Sequence, residues 1–413
     1  MTTMTTTAAS AAGPRLGLAA NWRQFSLLVV VNAFVGGMVG TERTALPLLA
    51  RDTFHLASAT TALSFLVAFG LVKAFTNLLA GHAMTRFGRR PVLLAGWLCA
   101  LPVAPLILTA HSWTAVIVAN VFLGLNQGLA WSATVIMKID LAGPKRRGLA
   151  LGLNEAAGYG AVALAAFAAT SIAAAYNPRA AFWLDAVFAA AGLLLALTTK
   201  ETRGHAQAEA AGRPAPAAAA SWRDTFLDAT YRRRPLAIVS LSGRINQVND
   251  ALAWGVLPLY LISSGLSLPA TGLVAAVYPA TWALSQPLFG GLSDRVGRTP
   301  LLAAGFALQA AAIAGFTMSS HVVWFTACAA ALGAGTGMVY PTLIAVIGDN
   351  THPAERPAAV GAYRFWRDLG YVVGALLVGT VVDVADPRTA LLVVAAITAI
   401  PVVLAPGTRR QPR

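Results

Sequence analysis

The chain has 413 residues, of which 57% are hydrophobic and only 11% are charged, and its mean hydropathy is +0.65. A soluble domain of average composition carries roughly 25% charged residues, so this composition excludes a soluble protein and indicates one embedded in a lipid bilayer. The formal net charge of +14 does not point to nucleic acid, because the basic residues are spread over loops between apolar segments, as expected at a membrane surface.

The chain begins with a segment rich in Thr and Ala. Residues 1–23 contain no apolar core followed by a cleavage site, which argues against a signal peptide. We therefore expect a short disordered tail on the cytoplasmic side.

Twelve apolar segments follow, each near the roughly 20 residues that a helix needs to cross the hydrocarbon core. The first six lie near residues 24–50, 57–83, 90–110, 113–139, 147–175 and 179–199. The second six lie near residues 235–263, 268–293, 299–319, 322–348, 357–384 and 387–406. Because a lipid-exposed backbone must satisfy its own hydrogen bonds, we predict that all twelve are helices. The predicted fold class is all-α and integral to the membrane, with six-helix bundles at 24–199 and 235–406 and a cytoplasmic tail at 407–413.

The longest hydrophilic segment is the connector between the two bundles, residues 200–234. Its Ala- and Pro-rich part around residues 212–216 is typical of a flexible linker. A short helix follows, in which Trp222, Phe226 and Leu227 share one face. We predict that this amphipathic helix lies in the membrane interface.

The positions of the basic residues predict the topology. With the N-terminus in the cytoplasm, 21 of the 30 Lys and Arg residues fall on cytoplasmic segments, against Arg51, Arg179 and Arg388 on the other side. Lys and Arg concentrate in cytoplasmic loops of membrane proteins. We therefore predict an even number of spans, with both termini in the cytoplasm.

The sequence repeats itself at an offset of 209 residues. The segment GHAMTRFGRRP at 81–91 returns as GGLSDRVGRTP at 290–300, and further matches follow at the same offset, such as Asp140 with Asp349. Duplicated halves are common in membrane transporters, whose substrate site lies where the halves meet.

Two six-span halves that share the pattern Gly-x-x-x-Asp-Arg-x-Gly-Arg between their second and third spans resemble the major facilitator superfamily. The second copy of the pattern consists of Gly290, Asp294, Arg295, Gly297 and Arg298. The first copy retains Gly81, Arg86, Gly88 and Arg89. It has Thr85 in place of the Asp. The resemblance implies a secondary transporter that alternates between inward-open and outward-open states.

The repeated motif suits two charge latches. Arg89 can reach Asp140 at the end of the fourth span, and Arg298 can reach the equivalent Asp349. Such pairs would hold the cytoplasmic ends together in one state and separate in the other. The alternative is that these arginines only anchor the loops at the membrane surface. Because Thr85 carries no charge, we expect the N-terminal latch to be the weaker one.

Ten ionisable residues lie well inside the spans, where each is energetically costly and is by default a functional candidate. Five are basic and five are acidic: Arg43, Lys73, Arg244, Arg364, Arg367, Glu42, Glu155, Asp185, Asp250 and Asp368. Because the balance is neutral, mutual pairing is an alternative explanation, and the charge of a substrate does not follow from it.

Lys73 in the second span and Asp368 in the eleventh both lie near the bilayer midplane, roughly 20 Å and roughly 18 Å from the cytoplasmic arginines of their helices. In the superfamily these helices are neighbours across the two halves, so the resemblance implies a Lys73–Asp368 pair. Arg364, Arg367 and Asp368 share one face of the eleventh span. Arg364 could instead pair with Asp368 at i,i+4, which leaves Arg367 for a substrate or for Glu155. Glu155, at the position equivalent to Arg364, is a candidate proton carrier.

The seventh span carries a polar stripe of Asn246, Gln247, Asp250 and Trp254, with Arg244 near its edge. In the superfamily the first, fourth, seventh and tenth helices line the central cavity. A partly desolvated carboxyl group beside amides and an indole suits the binding of a substrate or a proton. The alternative is a hydrogen-bond network that is already satisfied.

Four further positions are candidates. Glu42, near the periplasmic end of the first span, suits a gate pair, a solvated rim or a binding role. Gln127 and Trp131 lie in the fourth span, and Tyr340 in the tenth is equivalent to Trp131. These aromatic residues suit either substrate contact or packing.

Drug exporters of the superfamily usually carry an Arg ahead of Gln-Gly in the fourth span and Gly-Pro in the fifth. Here Gly124 and the pair Ala156-Ala157 occupy those positions, which argues against a multidrug exporter. The size and the twelve spans nevertheless fit a bacterial exporter better than the larger sugar carriers.

We therefore expect a monomeric, proton-coupled exporter of a small organic solute in the bacterial inner membrane. The alternatives are an importer or facilitator of the same fold and a transport-inactive membrane sensor or scaffold. The sequence shows no metal-ligand cluster, nucleophile triad or phosphate loop, so we expect neither an enzyme nor a metal or other cofactor. The expected partners are the solute, protons and the lipid bilayer.

Overall fold

The structure is a computed structural model that describes residues 16–143, 147–211, 222–351 and 356–408. Within these ranges the backbone is helical apart from short turns, and it forms no strand. The cytoplasmic tail predicted at 1–23 and the linker at 212–216 lie wholly or mostly outside the described residues.

The N-terminal half contains six long helices in the places that the apolar segments predict. Their bounds are Trp22–Asp52 (α1), Ser64–Phe87 (α2), Arg89–Leu108 (α3), Trp113–Ala142 (α4), Arg147–Ala175 (α5) and Trp183–Leu197 (α6). A short helix, Ala59–Ala62, precedes α2, and a turn of 3-10 helix, Pro178–Phe182, precedes α6.

The C-terminal half repeats this arrangement. Its helices are Arg234–Gly255 (α7), Leu268–Val296 (α8), Arg298–Gly315 (α9), Val322–Asn350 (α10), Arg356–Val384 (α11) and Pro387–Leu404 (α12). After a break at Val256, α7 continues as Leu257–Ser263 with Pro258 in its first turn, where proline is tolerated. The twelve-helix, all-α fold expected from the sequence is thus confirmed.

By length and apolar composition alone, nine helices in the described part of the chain can cross a membrane. The other three long helices are α7, α8 and α9. The polar residues that lower the hydropathy of α7 face other helices, since Asp250 bonds to Arg43 in α1 and to Tyr371 in α11. A helix can therefore fall short of the usual hydropathy when its polar face is buried against protein.

The two halves meet along α2 and α11 and along α5 and α8. The approach of α2 to α11 depends on a glycine: a Cβ atom at Gly70 would lie 2.5 Å from the Cβ atom of Tyr371. The expectation that the second and eleventh spans are neighbours is therefore met in the structure.

The described chain ends share one face of the bundle, which we call the terminal face. Leu16 lies near Gly143 at the end of α4, and Thr408 lies beside Thr299 at the start of α9. The connector also lies on the terminal face, and the turns before α2, α4, α6, α8, α10 and α12 form the opposite face.

The connector contains two short helices, Arg203–Ala211 and Trp222–Leu227. The ring of Phe226 contacts the rings of Phe365 and Trp366 in α11, with centroids 5.7 and 6.0 Å apart. Phe226 therefore packs against α11, and the position of this short helix in the membrane interface stays a prediction. The side chain of Trp222 lies outside the described residues.

Candidate functional site

A small polar cavity lies between the two halves, at the level where the charged residues of the spans converge. Its volume is about 30 Å³. The lining residues are Val39, Arg43, Lys73, Asn77, Gln127, Trp131, Glu155, Tyr159, Val162, Tyr340, Arg364, Arg367, Asp368 and Tyr371. The structure thus brings together nine of the residues that sequence analysis singles out, from α1, α2, α4, α5, α10 and α11. We call this space the inner cavity.

A larger cavity of about 530 Å³ continues from there to the terminal face. It shares Glu155, Tyr340 and Arg364 with the inner cavity and reaches Arg298 at the start of α9. The rest of its wall is mainly apolar or small and includes Leu153, Ala156, Pro287, Pro341, Ile344 and Ala345. We call it the outer cavity.

The halves are joined at the opposite face. The carboxylate of Asp383, at the end of α11, accepts hydrogen bonds from Ser58 Oγ at 2.8 Å and from the backbone N–H groups of Ala59 and Thr60 at 2.5 and 3.0 Å. Asp383 therefore caps the short helix that precedes α2 in the other half. The two halves are therefore in contact on this side, whereas on the other side the inner cavity shares part of its wall with the outer cavity.

Asp250 lies at the centre of a buried hydrogen-bond network. Arg43 of α1 donates two bonds to its carboxylate, at 3.1 and 2.9 Å, and forms an ion pair between the halves. Gln247 and the hydroxyl groups of Tyr278 and Tyr371 donate at 2.9, 3.2 and 2.7 Å. Of the two arrangements considered for Asp250, the structure shows the satisfied network.

The other residues of the α7 stripe have different surroundings. The guanidinium of Arg43 lies 3.4 Å from the ring centroid of Trp254, a close cation–π contact. Asn246 is buried but lines neither cavity. Arg244 also lies outside both, with its guanidinium 4.4 Å from the ring of Trp366.

Lys73 and Asp368 form an ion pair across the halves, as the resemblance implies. Lys73 Nζ lies 3.5 Å from Asp368 Oδ1, and Asn77 Nδ2 donates to Asp368 Oδ2 at 2.5 Å. Arg367 reaches the same carboxylate at 3.4 Å and donates to the hydroxyl of Tyr159 at 3.4 Å. The alternative i,i+4 pair between Arg364 and Asp368 does not form in the described part of the chain.

Glu155 is held at one oxygen only. Trp131 Nε1 and Asn154 Nδ2 donate to its Oε1 at 3.1 and 2.9 Å, whereas its Oε2 is buried with no hydrogen-bond partner among the described residues. Lys138 lies close enough to act on Glu155 electrostatically, but its Nζ donates to the backbone oxygen of Leu28 at 3.1 Å. Glu155 therefore has an acceptor available at the junction of the two cavities.

A local departure from α-helix positions the α4 side chains of the site. Gln127–Trp131 forms a π-helical turn between two α-helical parts. Such turns insert one residue into the helix and occur frequently at functional sites. The turn places both of its end residues, Gln127 and Trp131, in the wall of the inner cavity.

Glu42 and Asp185 are buried within the N-terminal half, away from both cavities. They are 1% and 0% exposed, so the solvated rim considered for Glu42 is wrong. The neighbouring Arg43 is bound to Asp250 instead, which also excludes a pair between Glu42 and Arg43. In the described part of the chain, none of the four oxygens of these two carboxyl groups has a partner with the distance and angle of a hydrogen bond, although Asn120 lies close to Glu42 and Thr41 lies close to Asp185.

Both expected latch pairs are present. Arg89 Nε donates to Asp140 Oδ2 at 3.0 Å, and Arg298 Nε donates to Asp349 Oδ2 at 3.1 Å. Each pair joins two helices of the same half, so it ties α3 to α4 or α9 to α10 and does not bridge the halves. The glycines before these arginines, Gly88 and Gly297, have φ values of +96° and +92°, which explains their recurrence at the repeat offset.

The remaining motif residues lie at the surface. Arg86 is exposed, with its guanidinium 5.3 Å from the ring of Phe87, and Arg295 is exposed as well. Gly81 has open space around it, and Gly290 lines the outer cavity. The side chains of Thr85 and Asp294 lie outside the described residues.

Glu201, at the start of the connector, belongs to the N-terminal latch and was missed by sequence analysis. Its carboxylate accepts the backbone N–H groups of Arg89 and Arg90 at 3.1 and 2.9 Å, and those of Thr202 and Arg203 at 2.9 and 3.0 Å. Partial burial alone would raise the pKa of Glu201, but these backbone donors lower it below its ordinary value of 4.5. The Thr202 hydroxyl also donates to Asp140, at 2.8 Å.

We expect Glu201→Ala to loosen the N-terminal latch and to destabilise the protein by about 0.5–2 kcal/mol, the usual effect of losing a helix N-cap. Because the folded-state pKa of Glu201 is lowered, its contribution is present above pH 4.5 and is lost as the pH falls below that value. Thermal unfolding of purified protein at pH 7 and near pH 4 measures both effects. Glu201→Gln, which keeps one acceptor oxygen, should have a stability between those of Glu201→Ala and the unaltered chain. Equal stability of Glu201→Ala and the unaltered chain at pH 7 would contradict the role of Glu201 as a cap.

Two further lining residues, Asn77 and Tyr159, could have been found from helical periodicity. They follow Lys73 and Glu155 by four residues, and side chains four apart share a helix face.

The comparisons with known proteins agree with this architecture. Residues 25–246 and 239–413 each match the family model of the Major Facilitator Superfamily. A protein of Bacillus subtilis (strain 168) described as an uncharacterized MFS-type transporter, YddS, is 24% identical over 371 residues, which are 87% of this chain and 85% of that protein.

Solved transporter structures share the fold at low sequence identity. The nucleoside transporter NupG superposes with a TM-score of 0.75 at 13% identity, over 93% of this chain and 98% of its own. A POT family transporter in complex with 5-aminolevulinic acid also superposes with a TM-score of 0.75, at 11% identity, over 94% and 97% of the two chains. At these identities the likeness concerns the fold.

Proposed function

Since the chain belongs to the Major Facilitator Superfamily and is a multi-pass membrane transporter of that kind, we propose that it moves a small organic solute through the two cavities, with Glu155 as its proton carrier. The solute itself undergoes no chemical change in this proposal. The observation that carries it is the buried Oε2 atom of Glu155 at the junction of the cavities, which has no hydrogen-bond partner among the described residues.

The arrangement of the halves supports transport by alternating access. The structure has one side joined through Asp383 and the other side open through the outer cavity. Rocking of the two halves about the inner cavity would close the outer cavity and open the side that is joined through Asp383, as in other transporters built from repeats. The ion pairs that would have to rearrange are Arg43–Asp250 and Lys73–Asp368, because both cross between the halves.

A carboxyl group suits proton coupling when it can bind and release a proton without breaking the hydrogen bonds that hold it in place. Asp250 is less suited than Glu155, because Arg43 and three other donors already occupy both oxygens of its carboxylate. Glu155 keeps one oxygen directed to Trp131 and Asn154 while the other can bind or release a proton. A water-filled outer cavity would connect that oxygen to the terminal face.

We propose that the terminal face is cytoplasmic and that the protein lies in a bacterial inner membrane. The concentration of Lys and Arg in the segments of that face supports this orientation. Both cavities are built within one chain, so a monomer contains the complete proposed path.

Two directions of transport are candidates. Export is supported by the size and span number of the chain, and the form described here would load a solute from the cytoplasm. Uptake is supported by a surplus of cationic groups around the inner cavity, whose consequence for coupling is developed below. The transport-inactive sensor or scaffold has no such specific support.

The decisive experiment is a substrate screen on proteoliposomes that contain the purified protein, with an imposed pH gradient. We expect a small organic solute to move only in protein-containing liposomes and to accumulate against its concentration gradient when the pH gradient is present. The sign of the gradient that drives accumulation gives the direction. Equal solute movement with and without the pH gradient would overturn proton coupling.

A further inference from the structure

The ten ionisable residues of the spans carry no net charge in total, but the structure places only some of them around the inner cavity. Glu42 and Asp185 are enclosed within the N-terminal half and line neither cavity. Four cationic side chains line the inner cavity, namely Arg43, Lys73, Arg364 and Arg367. Three carboxylates face them: Glu155 and Asp368 in the wall, and Asp250 behind Arg43. The surroundings of the cavity are therefore net positive.

Among the cationic groups that line the inner cavity, Arg364 is the one with no ion pair to a described residue. Arg43 is paired with Asp250, and Lys73 and Arg367 share Asp368. Arg364 makes no ion pair or hydrogen bond with any described residue, although it lines both cavities. Arg364 is half-buried, and an ionisable residue within a membrane span is by default a candidate functional site.

The walls beyond Arg364 differ in polarity. On one side the inner cavity is small and polar, with Arg367 and the hydroxyl groups of Tyr159 and Tyr340 nearby. On the other side the outer cavity is large and its wall includes Leu153, Pro287, Pro341 and Ile344. A solute that fits both has a compact acidic group at one end and an apolar body at the other.

We propose that the solute is an amphipathic organic carboxylate, whose acid group binds Arg364 and whose apolar body lies in the outer cavity. The planar guanidinium matches a carboxylate through two parallel hydrogen bonds. This inference rests on the proposed transport function and specifies the solute class for the same site.

The arrangement has a consequence for coupling. Glu155 shares both cavities with Arg364, and the other charged or titratable groups around it are Lys138 from α4, Tyr159 from α5, Tyr340 from α10 and Arg367 from α11. An ionised Glu155 competes with a carboxylate for Arg364, whereas a protonated Glu155 does not. The proton and the anion therefore bind together and move in the same direction, which favours uptake when the proton gradient points inward.

The test uses the full chain in lipid nanodiscs and three probes that share one ring system: 2-naphthoate, 2-naphthylmethylammonium and 2-naphthalenemethanol. We expect 2-naphthoate alone to raise the thermal unfolding temperature, and to bind more tightly at pH 6 than at pH 8. Arg364→Gln should weaken 2-naphthoate binding about 10- to 100-fold, the range expected for loss of a charge-assisted hydrogen bond. Arg244→Gln, which removes a guanidinium outside both cavities, is the matched control and should bind 2-naphthoate as the unaltered chain does.

Three outcomes overturn the inference: stabilisation by the ammonium or the alcohol to the same extent as by 2-naphthoate, undiminished binding in Arg364→Gln, or no stabilisation by 2-naphthoate at millimolar concentration. The proposed proton coupling fails separately. If 2-naphthoate binding depends on Arg364 but no solute flux responds to a pH gradient, the proposed solute class is supported and the proposed proton coupling is wrong. If a cationic solute moves in response to a pH gradient, the proposed proton coupling is supported and the proposed solute class is wrong.

Discussion

Asp250→Asn should destabilise the protein by about 3 kcal/mol or more, because removing one partner of a buried ion pair typically costs about 3–5 kcal/mol. Asp250 is 1% exposed, and its loss of charge leaves the guanidinium of Arg43 buried without a counterion. Tyr278 and Tyr371 would also lose a charged acceptor. Since the pair joins α1 to α7, the halves should separate more readily at this point.

The measurement is thermal or denaturant unfolding of purified variants in one detergent, as a double-mutant cycle with Arg43→Met. We expect each single substitution to be strongly destabilising and the double variant Arg43→Met with Asp250→Asn to recover a large part of the loss, since no uncompensated charge remains. Asp386→Asn, which alters an exposed helix-capping carboxylate, is the control for a change of charge alone. Additive effects of the two single substitutions would show that the ion pair contributes nothing specific to stability.

Much of the fold follows from the sequence because apolar length and internal repetition are strong constraints. The offset between Gly88 and Gly297 predicts two equivalent turns, and both glycines have similar positive φ values, +96° and +92°. The Lys73–Asp368 contact follows from depth along each helix together with the resemblance. The turns follow from the repeat offset and the depths follow from regular helix geometry, and both can be obtained from the sequence alone.

The partners of charged residues are less accessible from sequence. Glu42 and Arg43 are adjacent, but successive residues on a helix point about 100° apart. As a result Glu42 faces the interior of its own half, while Arg43 faces α7 and reaches Asp250 across the halves. A count of charged residues in the spans gives a neutral total. It cannot show that Glu42 and Asp185 are buried within the N-terminal half, away from the cationic residues of the inner cavity.

Local irregularity also limits prediction. The π-helical turn at Gln127–Trp131 rotates the following part of α4 relative to a regular helix. Glu201 lies in a segment that composition predicts to be the start of a connector, and its role depends on four backbone donors that only the folded chain brings together.

Glu155→Gln should abolish solute accumulation driven by a pH gradient while leaving solute exchange intact. Glutamine keeps the size of the side chain and an acceptor for Trp131 and Asn154, so the cavity wall should retain its shape. It cannot bind and release a proton, so the variant remains permanently in the equivalent of the protonated form. Such a carrier can still exchange solute across the membrane, because exchange requires no change of protonation.

The measurement compares two assays on the same proteoliposomes: accumulation under an imposed pH gradient, and counterflow of labelled solute against unlabelled solute at equal pH. We expect accumulation by Glu155→Gln to fall to the level of empty liposomes and counterflow to persist. Glu42→Gln alters a buried carboxyl group that lines neither cavity, and it should retain both activities. Loss of accumulation in Glu42→Gln, with retention in Glu155→Gln, would instead place the proton site at Glu42 and Asp185, which are buried carboxyl groups outside both cavities.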